Sequence, residues 1–340
     1  MPFREPEDKR ASQGIEQDPF DRFAELYAAF DADRGMLGDR MPLRYAAVTM
    51  LASPHPAAEL AATVRAQDKQ LADNLGWFSN IGGSIRIMIA ALLVKSGDSA
   101  PAFLAEAQRV QTLFRAAKIR RGSIYEVIAI LVMRIRSGAP IRDEDVDRFK
   151  AIYEELKRYH WFLTGPDDFP ACAILVGQPG TPEVIGAKIE AIYRALHKHS
   201  DLWRGESLQT AANILYLSGL EPMEIAERFR KITEAFRAAG VRIGQAEYDE
   251  VAILCFLARP VEGIVKSVVD GRDRMRANLK GVTKSMAFSL GTSIAFVRLV
   301  AGHENLGPLA DAKVLIDMQA IIAARQAAMA AAAATGSASV

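Results

Sequence analysis

Cysteine, histidine and tryptophan are scarce in this chain. Two cysteines in 340 residues exclude a disulfide scaffold and a cysteine-built structural zinc site. Cys172 (PACAILV) and Cys255 (AILCFL) lie among apolar residues and read as reduced core thiols. No uncharged apolar run approaches the ~20 residues of a membrane span. The opening MPFREPEDKRASQGIEQDPF has no apolar signal core. A soluble cytoplasmic protein is therefore expected. An excess of charge is missing too. There are 42 Lys+Arg against 41 Asp+Glu, a net +1, which is not the footprint of a protein that coats nucleic acid. The motifs HExxH, paired CxxC, the EF-hand loop, the Walker loop, GxGxxG after a strand and GxSxG are all absent. No cofactor and no enzyme class is implied. Sustained period-2 alternation is absent, so strands are not expected.

What the chain does have is internal repetition. RFKAIYEEL (Arg148–Leu156), KIEAIYRAL (Lys188–Leu196) and RFRKITEAF (Arg228–Phe236) stand 40 and 40 residues apart. A second landmark follows each: Ala173-Ile174-Leu175, Asn213-Ile214-Leu215 and Ala252-Ile253-Leu254, 40 and 39 apart. Weaker copies begin at RFAELYAAF (Arg22–Phe30), Ala61–Leu75, RVQTLFRAA (Arg109–Ala117) and Val265–Leu279. Each unit reads as two helices. The first carries apolar residues at i, i+3, i+4 and i+7 (Phe149, Ile152, Tyr153, Leu156), and the second is apolar nearly all round.

A hairpin of ~40 residues cannot bury its apolar face alone, so neighbours must stack. The expected fold is all-α: about seven hairpins over residues 19–305, as an α-solenoid of the HEAT or tetratricopeptide kind or, as second choice, an α/α toroid. Residues 1–18 read as a disordered segment, and 306–340 as a helix running into an Ala/Gly/Ser tail.

The turns between units carry Gly and Pro (Gly138-Ala139-Pro140, Gly219 to Pro222), as helix ends and starts require. The turns inside the hairpins fall on the opposite edge and hold all three tryptophans, Trp77, Trp161 and Trp203, with His160, His199 and Arg204. Side by side on one rim, Trp, Arg and His have the composition of an interaction surface. They suit a protein or peptide partner. Packing is the favoured reading for Trp161 and Trp203, which would plug the gap where two helices diverge. His160, Asp167, Asp168 and Glu206 form a second candidate set, for acid/base chemistry or, through His160, Asp167 and Asp168, for a metal. Against that, Asp167 or Asp168 suits a helix N-cap. Local basic clusters such as Lys118, Arg120 and Arg121 leave a phosphate backbone as the least favoured partner. Oligomeric state is not legible.

Two segments carry a resemblance. His160-Trp161-Phe162-Leu163-Thr164-Gly165-Pro166-Asp167-Asp168-Phe169-Pro170 and Ser207 to Leu215 (SLQTAANIL) resemble a bacterial domain-of-unknown-function family, through LTGxDDFP and SLQxxxxIL. The resemblance would cover Phe20 to about Gly302. It implies no catalytic residue, but it draws attention to the second aspartate, which capping does not need.

Overall fold

The computed structural model describes residues 18–32, 40–74, 82–119, 124–161, 163–200 and 202–300. The expected terminal segments lie almost wholly outside them, as do Trp77, Arg120 and Arg121. Among the described residues there are fourteen α-helices and no strand, so the all-α expectation holds. One layer comprises α1 (Pro19–Asp31), α3 (Ala57–Asp73), α5 (Ala100–Ala116), α7 (Asp143–Tyr159), α9 (Pro182–Ser200), α11 (Pro222–Ala238) and α13 (Val261–Asn278). Each is followed by its hairpin partner: α2 (Met41–Thr49), α4 (Gly83–Ser96), α6 (Ile124–Ser137), α8 (Phe169–Val176), α10 (Glu206–Tyr216), α12 (Tyr248–Leu254) and α14 (Lys284–Val300). Odd helices pack on odd neighbours and even helices on even ones, so the hairpins stand side by side in two layers.

The two layers follow from two apolar patterns. Helix α7 buries Val146, Phe149, Ile152, Tyr153 and Leu156 and turns its charged face outward. Helix α8 buries Phe169, Cys172, Ala173, Ile174 and Leu175, nearly its whole circumference, as an inner helix must. Phe149 links the layers and units, lying 5.0 Å from Phe114 and 5.3 Å from Phe169 between ring centres. Burying each such ring contributes about 1.5–3 kcal/mol. Both cysteines are buried, and burial pushes the Cys255 thiol up to about 12.

The basic residue that opens each matched segment has a structural task. Arg148 donates to the carbonyls of Val176, Gln178 and Gly180, beyond the C-terminus of α8. Arg228 does the same for Cys255, Leu257 and Arg259. Lys188 reaches Gly219, Arg109 reaches Ile141, and Arg22 reaches Ser53 and His55. Each cation thus closes carbonyls in the turn after an inner helix, and Arg148 and Arg228 also reach the helix end itself.

The last hairpin packs on the first. Arg274 of α13 donates to Asp18 and Asp21 at 2.9 Å each, with its guanidinium 4.0 Å over the Phe20 ring. Arg44 of α2 donates to the Lys280 carbonyl at 2.6 Å and lies 3.1 Å from Met286 Sδ. Helix α14 touches both α1 and α2. Of the two arrangements of tandem hairpins, these are the contacts of a ring. Close packing of α13 on α14 supports the seam. A Cβ on Gly291 would stand 2.6 Å from the backbone nitrogen of Arg272. No single described helix is long and apolar enough to cross a membrane. Ile85–Ser96 and Ala100–Ala116 reach that composition only together, across a 107° bend.

Candidate functional site

The turns inside the hairpins lead into the N-termini of the inner helices. Gly165 and Gly244 each donate a backbone N–H to the carboxylate three residues on, Asp168 at 3.0 Å and Glu247 at 2.9 Å. Gly205, the third member of the series, adopts φ +145°, a backbone state that side chains oppose. Its N–H goes instead to the Tyr193 hydroxyl at 3.2 Å. The Tyr248 hydroxyl accepts from Trp203 N at 3.3 Å in the same manner. Buried tyrosines of the packed layers therefore fix the height of these turns.

Two grooves open on this rim. The first, about 920 Å³, lies between the turn after α7 and the end of α9, and includes Trp161, Tyr193, Arg194, Lys198 and Arg204. The second, about 870 Å³, lies one hairpin further and includes Trp203, Arg237, Arg242 and Gln245. Trp161 is 63 % exposed and Trp203 74 %. Neither plugs a gap between helices, so the packing reading of these two rings is corrected. His199 is exposed at the end of α9, outside both grooves.

His160 belongs to the first groove. Its Nε2 lies 2.7 Å from Glu190 Oε2, and Arg194 Nε bonds the other oxygen at 2.5 Å. The ring packs 4.4 Å from Tyr193. The quartet of His160, Asp167, Asp168 and Glu206 is thereby divided. Its three carboxyls belong to a different group, a polar belt that crosses the inner layer.

The belt begins at the turn before α8. Asp168 is buried and accepts from Gln209 Nε2 at 3.2 Å, while Gln209 also donates to Thr164. Burial first, and then Asp167 beside it, push the Asp168 carboxyl up to about 8. Its bond to Gly165 is capping, as the sequence allowed, but its second oxygen is committed to the next hairpin. Glu206, exposed at the start of α10, lies beside Asp167, which together with partial burial raises the Glu206 carboxyl. Asp249 and Glu250 continue the belt on α12. Burial raises Asp249 well above the carboxylate range, with Glu250 and Glu206 adding repulsion. Burial likewise brings Glu250 to about 7, against a hydrogen bond to Ser289 of α14. Ser289 in turn bonds Tyr45 of α2, which burial pushes to about 12. The belt thus passes over the seam of the ring.

Sequence reasoning missed Asp249 and Glu250. Their signal was two carboxylates opening one of the most apolar helices, in AEYDEVAIL. Among the described residues, no grouping of three or more His, Cys, Asp or Glu could hold a metal ion.

A family model for a protein of unknown function, DUF4003, matches residues 61–327. The chain belongs to this family. It is also 24 % identical over 267 residues to the uncharacterized protein YeaA of Bacillus subtilis (strain 168), covering 76 % of this chain and 77 % of that protein. The resemblance in the LTGxDDFP and SLQxxxxIL segments is thereby supported. No solved structure matches.

Proposed function

We propose that this DUF4003 protein is a binding module whose two rim grooves take an extended, acidic polypeptide segment. The observation that carries this reading is recurrence. Consecutive hairpins each present one exposed tryptophan beside cations at the rim. In the first groove Arg194, Lys198 and Arg204 face a single carboxylate, Glu190, which Arg194 and His160 already hold. The second groove contains Arg237 and Arg242 and no carboxylate. Tryptophan and arginine are the residue types that dominate binding energy at interfaces, and linked grooves raise avidity without new contacts. The net charge of +1 favours a short acidic segment over a long phosphate backbone.

The test is fluorescence anisotropy with a labelled peptide of alternating Glu and Leu, with a single-stranded oligonucleotide as comparison. Saturable peptide binding is expected, at least tenfold weaker in Trp161→Ala and Trp203→Ala, with unchanged thermal midpoints. Tighter binding of the oligonucleotide, or peptide affinity indifferent to both substitutions, overturns the reading.

A further inference from the structure

Nine buried side-chain nitrogen or oxygen atoms have no hydrogen-bond partner among the described residues. Two of them, His160 Nε2 and Glu190 Oε2, face each other at 2.7 Å, and one belongs to Arg44. The remaining six lie on three consecutive inner helices: Gln209 Oε1 and both ends of the Asn213 amide on α10, Asp249 Oδ1 and Glu250 Oε2 on α12, and Thr292 Oγ1 on α14. Gln209 is 2 % exposed and Asn213 4 %. Native proteins rarely leave such groups without partners.

The set is directional. Four of the six atoms are carbonyl or carboxylate oxygens, which accept only, unless a carboxyl holds a proton. Glu206 and Asn213 stand seven residues apart on α10, two helical turns, and so share one face. Gln209, on the turn between, bonds Asp168. Asn213 therefore lies on the same face of α10 as Glu206 and Gln209. Glu206 is exposed and Asp167 half-buried, so the belt opens at the rim and deepens inward.

We propose that the belt formed by Asp167, Asp168, Glu206, Gln209, Asn213, Asp249 and Glu250 binds an organic ammonium ion bearing several N–H donors, of the diamine or polyamine class. Such a ligand supplies donors to unpartnered acceptors and positive charge where carboxyls crowd one another. A neutral polyol would supply only the first. A hard metal ion would need three converging ligands, which the described residues do not bring together.

The charged and titratable groups acting on the α12 carboxyls are Glu206 from α10, Glu247 in the preceding turn and Tyr45 from α2; Arg44 acts on Tyr45. Only the last is a cation, and it lies at the far end of the chain of groups. Entry of an ammonium ion should then drive protons off the raised carboxyls.

The probe is spermidine, titrated calorimetrically into the full chain at pH 6 and pH 8, with calcium, magnesium and glucose as comparisons. Saturable spermidine binding with proton release is expected, at least tenfold tighter at pH 8 because the amine stays charged while the carboxyls ionise. Asp249→Asn and Glu250→Gln should each weaken it about tenfold or more. Both remove a crowded charge, so the thermal midpoint should hold or rise, which separates loss of binding from loss of fold. Binding of equal affinity at the two pH values marks exposed surface carboxylates and overturns the proposal. So do unchanged affinity in both variants, tighter binding of a divalent metal or of glucose, and no binding. Trp203→Ala should leave spermidine affinity unchanged, which keeps this result separate from that of the grooves.

Discussion

The belt and the grooves handle charge in opposite ways. In the grooves, cations sit on exposed helix ends and turns, where water solvates them. Glu190, the one carboxylate in either groove, is held by His160 and Arg194. In the belt, three hairpins place carboxyls at the N-termini of their inner helices, and burial raises Asp168, Asp249 and Glu250 toward neutrality. A groove of that kind contributes little to folding, and its exposed cations are what the proposed acidic segment would meet. A belt of that kind costs folding energy whenever it ionises. The net +1 of the chain is thus a sum over regions of opposite sign at different depths.

The largest expected effect separates the two regions by pH. A carboxyl raised in the fold keeps its proton there after the unfolded chain has lost it. Stability therefore falls as pH rises from the unfolded carboxylate range, near 4, through the folded values of about 8 for Asp168 and about 7 for Glu250. The slope approaches about 1.4 kcal/mol per pH unit for each such group inside its window. Asp98, Glu106 and Asp145 are lowered by bonds to Arg134, Arg109 and Arg142, so their contributions are lost only on acidification below the ordinary carboxylate range. Urea titrations should place the stability maximum near pH 5, and Asp168→Asn with Glu250→Gln should flatten the alkaline limb. A maximum at pH 8 in the wild type would contradict the burial of the belt.

Next in size is the seam. Ser289 carries the belt from α12 to α2, and Gly291 lies two residues beyond it on α14. Gly291→Ala would push a methyl group onto the backbone of Arg272, an overpacking that costs about 1–3 kcal/mol. Spermidine binding should weaken while peptide binding at the grooves is kept. Equal loss of both would mean that the two regions do not fold independently of the seam. Arg228→Met acts on the edge away from both. Loss of its bonds to three carbonyls should lower stability by about 1–2 kcal/mol and leave both affinities unchanged.

Much of this architecture was legible as spacing. Ile152, Tyr153 and Leu156 recur as Ile192, Tyr193 and Leu196 because the same buried positions face the inner layer in successive hairpins, whereas the matching Ala151 and Ala191 are exposed. Ring closure was not legible. It depends on small rotations added over seven hairpins, and on contacts such as Arg274 with Asp18 that join residues 256 positions apart. The rim tryptophans were legible as position but not as exposure, since Trp161 and Trp203 occupy turns whose fit to the helix ends no local pattern fixes. The belt was half legible. Asp167, Asp168 and Glu206 stood out beside turn glycines, where capping also explains them. Asp249 and Glu250 were masked by the apolar helix that contains them. The separation of His160 from the aspartates depends on Glu190, a residue on another helix that no spacing tied to it.

The smallest expected effect on stability is the most telling for the grooves. Trp203 is 74 % exposed, and it bonds Tyr248 through its backbone N–H. Trp203→Ala keeps that bond and removes little buried area, so the change in unfolding free energy should stay within about 0.5 kcal/mol. A large ring held at the rim with so little return in folding is what the proposed peptide contact would use. The anisotropy titration of Trp203→Ala, run beside its melting curve, therefore reads the two quantities that the grooves should uncouple. A destabilisation of about 2 kcal/mol or more, on the scale of burying a core ring, would show that Trp203 belongs to the packing of α9 against α11, and the binding reading would then rest on Trp161 alone.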